Sequence, residues 1–400
     1  MKTFSLRTFP VENRTVLVRV DYNIPLHHGS VTETAKIRAS LPTISFLRQK
    51  NCRIILATHL GRPEGKIVPE LKTDCLLPVL QQLLPKVKIT KLDDCIGKEI
   101  QARIQSGKPG DIFLLENLRF YKEEEQDNPI FAHALASLAD IYVNDAFADS
   151  HRAHASVHAI TRFCPSIPGL LVEKEISYLQ KALQPVRPAI WLLGGSKLDK
   201  VELIQQALRT ADYILIGGAL AFPFLKAQGI SVGMSTIDST SVHAAHKILR
   251  LPTARKIILP RDFVAADTFS SRTKTTKVPF NHIPAHAFAL DLGPETIELF
   301  KHYLRKAQTI VWNGPLGYYE WARFAVATKE LARFLGKLTA VSIAGGGETA
   351  AALEKFHLTH TVTHLSTGGG AALTFLSGKT LPGLEALEEN YQKFKKLSGN

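Results

Sequence analysis

Ten short apolar, β-branched runs recur along the chain, each closed by a polar or glycine-rich turn: TVLVRVDYN, RIILATHLGR, DIFLLENLRF and DIYVNDAF, then AIWLLGGSK, YILIGGAL, KIILPRDF, TIVWNGPLG, AVSIAGGGET and VTHLSTGGG. Apolar runs of this kind mark strands buried on both faces, and helical patterns lie between them. Buried strands alternating with helices build parallel sheets covered on both sides, so the pattern predicts an α/β, doubly wound fold. Between the first four runs and the last six, PGLLVEKEISYLQKALQPVRPAI reads as an amphipathic helix from about Glu173 to Leu183, closed by Pro185 and Pro188. A chain of 400 residues exceeds what one core ordinarily supports. The expected organisation is an N-terminal domain over 1–170, an interdomain helix over 171–186 and a C-terminal domain over 187–380, with LEALEENYQKFKKLSGN as a short charged helix at the end.

Composition narrows the class without choosing a function. Hydrophobic residues at 45% and charged ones at 21% are ordinary globular proportions. No apolar run approaches the roughly 18 residues of a membrane span, and the N-terminus lacks an apolar signal core, so a soluble, cytoplasmic protein is expected. Cys52, Cys75, Cys95 and Cys164 form no CxxC pair. Reduced, mostly buried thiols are expected of them, with neither zinc site nor disulfide framework. A net charge of +13 suits an anionic partner, either nucleic acid or a phosphorylated small molecule.

The placement of charge separates these two. In doubly wound folds ligands sit beyond the carboxyl ends of the strands. There the first half carries Asp21, Asn23, His59, Arg62, Arg119, Asp145, His151 and Arg152. The arginine forks match phosphate and carboxylate groups. Asp21 and Asn23 are suited either to orienting hydroxyls or to forming turns. The basic residues stand singly, with no aromatic platform or long basic run, which argues against RNA. The second half carries Gly194-Gly195, Gly217-Gly218, Gly314, Gly317, Gly345-Gly346-Gly347 and Gly368-Gly369-Gly370. Glycine between strand and helix lets backbone N–H groups and the helix dipole reach phosphate oxygens, and it also serves plain turns. Neither a complete Walker A loop nor GxGxxG is present. Lys197 and Lys200, just after Gly194-Gly195, are either point charges on a terminal phosphate or a solvated helix face. An anion pocket in one lobe and a nucleotide platform in the other is what phosphoryl transfer needs.

The blocks VRVDYNIPL, THLGRPEG, LLENLRFYKEEE, VNDAFADSHRAHAS, VWNGPLGYYEW and STGGGAALTFL give the chain a resemblance to the phosphoglycerate kinases along essentially its whole length. The resemblance implies two Rossmann-like domains joined by an interdomain helix and hinge, with segment 381–400 packing back on the N-terminal domain. It implies reversible, Mg²⁺-dependent transfer between 1,3-bisphosphoglycerate and ADP, giving 3-phosphoglycerate and ATP, by a monomer. By the same resemblance Asp21, Asn23, His59, Arg62, Arg119 and Arg152 hold 3-phosphoglycerate. Gly195, Ser196, Lys197, Ala219, Gly293, Asn313, Pro315, Glu320, Gly347, Glu348 and Thr349 serve the nucleotide, Glu348 its metal, and Gly368, Gly369 and Gly370 a phosphate-facing helix start.

Four positions depart from the family pattern. Lys36 stands where the family has its catalytic arginine, 15 residues after Asp21 and six before Pro42, with Arg38 two residues on. Lysine keeps the charge and loses the bidentate fork. Lys200 follows Lys197 by three residues where the family has four. Ala219 replaces a glycine, and Glu348 an aspartate. Lys36, Lys197, Lys200 and Arg38 are therefore the catalytic candidates. The alternative is a catalytically weakened member that binds nucleotide or nucleic acid.

Overall fold

All ten apolar runs contain parallel strands in the computed structural model, which describes residues 2–27, 29–195, 201–235 and 237–398. The strands are β1 (Thr15–Val20), β2 (Leu26–His27), β3 (Ser30–Val31), β4 (Arg53–Ala57), β5 (Ile89–Lys91), β6 (Ile112–Leu114), β7 (Ile141–Asp145), β8 (Ser166–Pro168), β9 (Ala189–Leu193), β10 (Tyr213–Ile216), β11 (Ile257–Ile258), β12 (Asp262–Ala266), β13 (Thr275–Pro279), β14 (Phe288–Leu292), β15 (Thr309–Asn313), β16 (Val341–Gly345) and β17 (His364–Leu365). The chain divides into two compact units, Met1–Ile176 with Thr380–Asn400, and Ser177–Lys379.

The first unit is built on a six-stranded parallel sheet ordered β5-β6-β4-β1-β7-β8. Side chains of a strand alternate between the sheet's faces. Val16, Val18 and Val20 of β1 accordingly join one core cluster with Ile37 and Ile44, while Leu17 joins the other with Phe113 and Tyr142. Strand order reverses between β1 and β7, which makes their carboxyl ends the crevice of this unit. Two short strands with little apolar signal, β5 and β8, complete the edges.

The second unit repeats the plan in the order β11-β10-β9-β15-β16-β17, with the reversal between β9 and β15. It adds a three-stranded antiparallel sheet, β13-β12-β14, absent from the sequence reading because β13 is mostly exposed and carries no apolar run.

The helix expected from about Glu173 runs over Leu170–Leu183. It starts earlier because its first amides find tertiary partners rather than a local cap. Leu170 N–H donates to Thr43 Oγ1 at 2.9 Å and Leu171 N–H to Asp145 Oδ1 at 3.0 Å. A Cβ on Gly169 would lie 2.1 Å from Asp145 Oδ1, so only glycine lets the chain turn into this helix here. The final helix, Pro382–Phe394, returns to the first unit. Its Asn390 accepts from Ser166 N at 2.8 Å and donates to the carbonyls of Thr161 and Cys164. The four cysteines are free thiols, Cys75 half-buried and the other three buried.

Candidate active site

In the first unit the strand ends gather the expected polar residues around the β1/β7 crevice. Asp21 follows β1, and its Oδ1 accepts from Asn23 N at 3.0 Å. Asn23 Oδ1 accepts from Gly61 N at 2.9 Å, tying the loop after β1 to the loop after β4. Lys36, in the first turn of helix Ala35–Gln49, extends into this cluster: Nζ lies 2.7 Å from Asp21 Oδ2 and donates to the Asn23 carbonyl at 2.9 Å. Arg38 is exposed and bonded to Thr34 Oγ1 at 3.1 Å, away from Asp21. The helix geometry explains the contrast, since residues two apart differ by about 200° around the axis.

Arg119 lies on the short turn Leu118–Phe120 with its Nη1 donating to Gly61 O at 2.8 Å and its Nε 3.1 Å from Glu125 Oε1. Burial, countered in part by Glu125, holds its pKa below the usual arginine range. Arg152 pairs with Asp149 at 3.3 Å, and Arg62 is exposed. His59 is buried after β4, and burial first, then Arg19, hold its pKa well below the ordinary histidine value. Burial, followed by Arg119, lowers His154 to about 4. Burial also lowers His151, with Arg152 adding to it. Lowered in this way, the histidines of the crevice are neutral at physiological pH, and the positive charge of the crevice comes from other side chains. Arg19, inside β1, belongs to this charge system, although an arginine in an apolar strand run gave no sequence signal of it.

In the second unit a cavity of about 790 Å³ opens at the β9/β15 reversal. Gly195, Ala219, Pro315, Glu320 and Glu348 line it. The neighbouring turns are in close backbone contact: a Cβ on Gly314, whose φ is +91°, would lie 2.2 Å from Gly194 O. Thr349 Oγ1 fastens the same turn, accepting from Gly314 N at 2.7 Å and donating to Gly345 O at 2.9 Å. Asn313 Nδ2 donates to Gly345 O at 2.7 Å, leaving its buried Oδ1 without a partner among the described residues. Gly347 starts helix Gly347–Lys355 and Gly368-Gly369-Gly370 starts helix Gly369–Leu376; Cβ positions at Gly347 and Gly369 meet open space. Gly293 does not line the cavity, and a Cβ there would lie 2.2 Å from Asp262 Cγ. Ser196, Lys197 and Lys200 lie outside the described residues.

The aromatic wall of this cavity was not read from sequence. Phe269, from the loop between β12 and β13, packs on Tyr318 at 5.1 Å and on Phe288 of β14 at 5.8 Å. Tyr318 is adjacent to the GPLG block and offered a signal, whereas Phe269 and Phe288 arrive through the unforeseen antiparallel sheet. Asp238, Asp291, Glu320 and Glu348 bring carboxylate oxygens to the cavity wall. No cluster of three or more metal-ligating side chains exists among the described residues, and Glu348 presents one exposed carboxylate at the cavity. One carboxylate plus substrate phosphates is how Mg²⁺ is ordinarily held.

Two doubly wound units, one with a cationic crevice and one with a glycine-lined cavity, place the chain among the α/β phosphotransferases built from two such units. A family model described as Phosphoglycerate kinase matches residues 6–379. The chain is 44% identical over 393 residues to the phosphoglycerate kinase of Moorella thermoacetica, covering 97% of this chain and 100% of that protein. It is 43% identical over 393 residues to phosphoglycerate kinase 2, chloroplastic, of Arabidopsis thaliana, covering 96% and 82%. The solved phosphoglycerate kinase structure from Coxiella burnetii superposes with a TM-score of 0.89 at 35% identity, covering 97% of this chain and 99% of that one. The chain belongs to the phosphoglycerate kinase family. Its activity is the family's transfer of a phosphoryl group between a nucleotide and the carboxyl group of phosphoglycerate.

Proposed function

We propose that the first unit binds 3-phosphoglycerate through Asp21, Asn23, His59, Arg62, Arg119 and Arg152, and that the second binds ATP or ADP in the cavity beside Gly195, Ala219, Pro315 and Glu320. Glu348 would hold Mg²⁺ together with the nucleotide's phosphates, and the ion would neutralise their charge. Asn313 and Thr349 shape the turn that would face the phosphates, and the helix starts at Gly347 and Gly369 would present their positive dipole ends to them. Gly293 enters this reading only as a packing residue.

In the ATP-forming direction a β-phosphate oxygen of ADP attacks the acyl phosphate of 1,3-bisphosphoglycerate. The new P–O bond forms as the bond to the carboxyl oxygen breaks, and the carboxylate leaves with the electron pair. No proton needs to move, so the site requires cations rather than a general base. Lys36 is assigned the role of the cation nearest the transferring group, and Arg38 none. The observation that carries this is the 2.7 Å contact of Lys36 with Asp21 while Arg38 faces solvent. Closure of the two units about the Leu170–Leu183 helix would bring the ligands together and exclude water. A monomeric enzyme working in the cytoplasm completes the reading; no helix among the described residues is long and apolar enough to cross a membrane.

The test is steady-state phosphorylation of 3-phosphoglycerate by ATP with Mg²⁺ varied. Saturable turnover that needs Mg²⁺ and collapses in Lys36→Met supports the assignment. Full activity of Lys36→Met together with collapse in Arg38→Ala overturns it.

A further inference from the structure

Arg19 lies inside the core strand β1, and its side chain is 1% exposed. Its Nε donates to Ser156 Oγ at 2.9 Å and its Nη1 to the Val20 carbonyl at 2.6 Å. Its Nη2 lies 3.1 Å from His59 Nδ1 and 3.1 Å from Asp149 Oδ2. Ser156 extends the network, its hydroxyl donating to Glu124 Oε1 at 2.6 Å and its N–H to Oε2 at 2.9 Å. Every nitrogen of the guanidinium is thus held. Despite its burial, Asp149 and Glu124 raise its pKa, so it stays a cation.

A guanidinium has only donors. The atom that meets Arg19 Nη2 must accept, so His59 Nδ1 carries a lone pair and no proton. Asp149 Oδ2 is 3.6 Å from Nδ1, too far to receive a proton from it. The single ring proton then sits on Nε2. His59 Nε2 is buried and has no hydrogen-bond partner among the described residues. Buried donors are seldom left unpaired, and an unpaired one in a binding crevice is where a ligand oxygen belongs.

We infer that Arg19 is a positioning residue that locks His59 as the neutral Nε2–H tautomer, so that this imidazole meets phosphoglycerate as a fixed, uncharged donor. The inference rests on the reading that the crevice binds 3-phosphoglycerate. The groups facing the ring are Arg19 and Asp21 from β1 and its end, Arg119 from Leu118–Phe120, and Asp149 and Arg152 from the segment after β7. Three arginines against two carboxylates, in a buried setting, oppose a further positive charge on the ring.

The test uses the full-length protein with ¹⁵N-labelled histidine, followed from pH 8 to 5.5. An imine-type Nδ1 resonance, a pyrrole-type Nε2 resonance and no titration of His59 are expected. A proton on Nδ1, or an imidazolium forming within that range, overturns the inference whatever the ligand does. Addition of 3-phosphoglycerate should then shift the Nε2–H proton; the expected tautomer with no such shift would keep the lock and defeat the binding-site reading. Kinetics give an independent arm. His59→Gln keeps an uncharged N–H donor and His59→Ala does not, so KM for 3-phosphoglycerate should rise about tenfold more in the alanine variant, the size of a hydrogen bond to a charged group. Equal losses in the two variants would overturn the donor role of His59. Arg19→Lys loses the fork while keeping the charge beside Asp149. It should raise KM with kcat little changed and give KM a new pH dependence as His59 becomes able to protonate; a flat profile overturns the lock.

Discussion

Lys36 is the residue on which the rate depends most directly in the proposed reading. Arginine fingers contribute roughly 10³ to 10⁵ to phosphoryl transfer, and a lysine supplies the charge without the fork. Lys36→Arg is therefore expected to raise kcat. Lys36→Met should lower it by roughly 10³ or more, and Arg38→Ala should leave it within about threefold, all read in the same steady-state assay. A second residue-scale expectation concerns Gly314, whose turn touches the Gly194 carbonyl. Gly314→Ala adds a methyl at 2.2 Å from that oxygen in a left-handed backbone conformation. The conformation alone costs about 1 to 3 kcal/mol, so the variant should unfold at lower urea concentration and bind ADP weakly by calorimetry.

At the scale of elements, helix Leu170–Leu183 depends on a buried carboxylate outside it. Burial, against hydrogen bonds from Thr43, Leu171 and Val172, raises Asp145 from the usual carboxylate value to about 7. The folded protein therefore holds a proton that the unfolded chain releases near pH 4. Stability from this group is fully present below about pH 4 and is lost as pH rises to about 7, with a slope near 1.4 kcal/mol per pH unit inside that window. Asp145→Asn keeps the carbonyl that accepts from Leu171. It should flatten the fall in stability between pH 5 and 7, as measured by urea midpoints; an unchanged profile would show that Asp145 does not titrate there. Elements also mark how far the sequence could be read. Eight of the ten apolar runs contain central strands, where burial on both faces forces an unbroken apolar stretch, and the other two contain the edge strands β11 and β17. β5, β8 and β13 escaped because edge or exposed strands need no such stretch.

For the whole molecule the C-terminal helix links the two ends of the chain. Leu384 and Leu387 are buried in the first unit and Tyr391 packs on Phe4 with ring centres 5.0 Å apart. Each buried leucine contributes about 1.5 to 3 kcal/mol. Truncation after Lys379 should therefore lower the unfolding transition of the first unit and spare that of the second, resolved as two components in calorimetry. A single transition shifting as one would show that the units unfold together.

What the sequence determined by itself follows from local rules: the α/β class from apolar runs alternating with helical patterns, the anionic partner from charge, and the strand-end positions of Asp21, His59, Arg119 and Arg152 from their place after those runs. Lys36 against Arg38 was left open, because a linear pattern does not fix which helical face meets a neighbouring loop. Tertiary structure decided that contact, brought Phe269 and Phe288 to the cavity of the second unit, capped a helix with Asp145, and set Arg19 against His59. In each case the partners lie far apart in sequence and meet only when sheets and helices pack, so the energy that fixes them has no counterpart in any short stretch of chain.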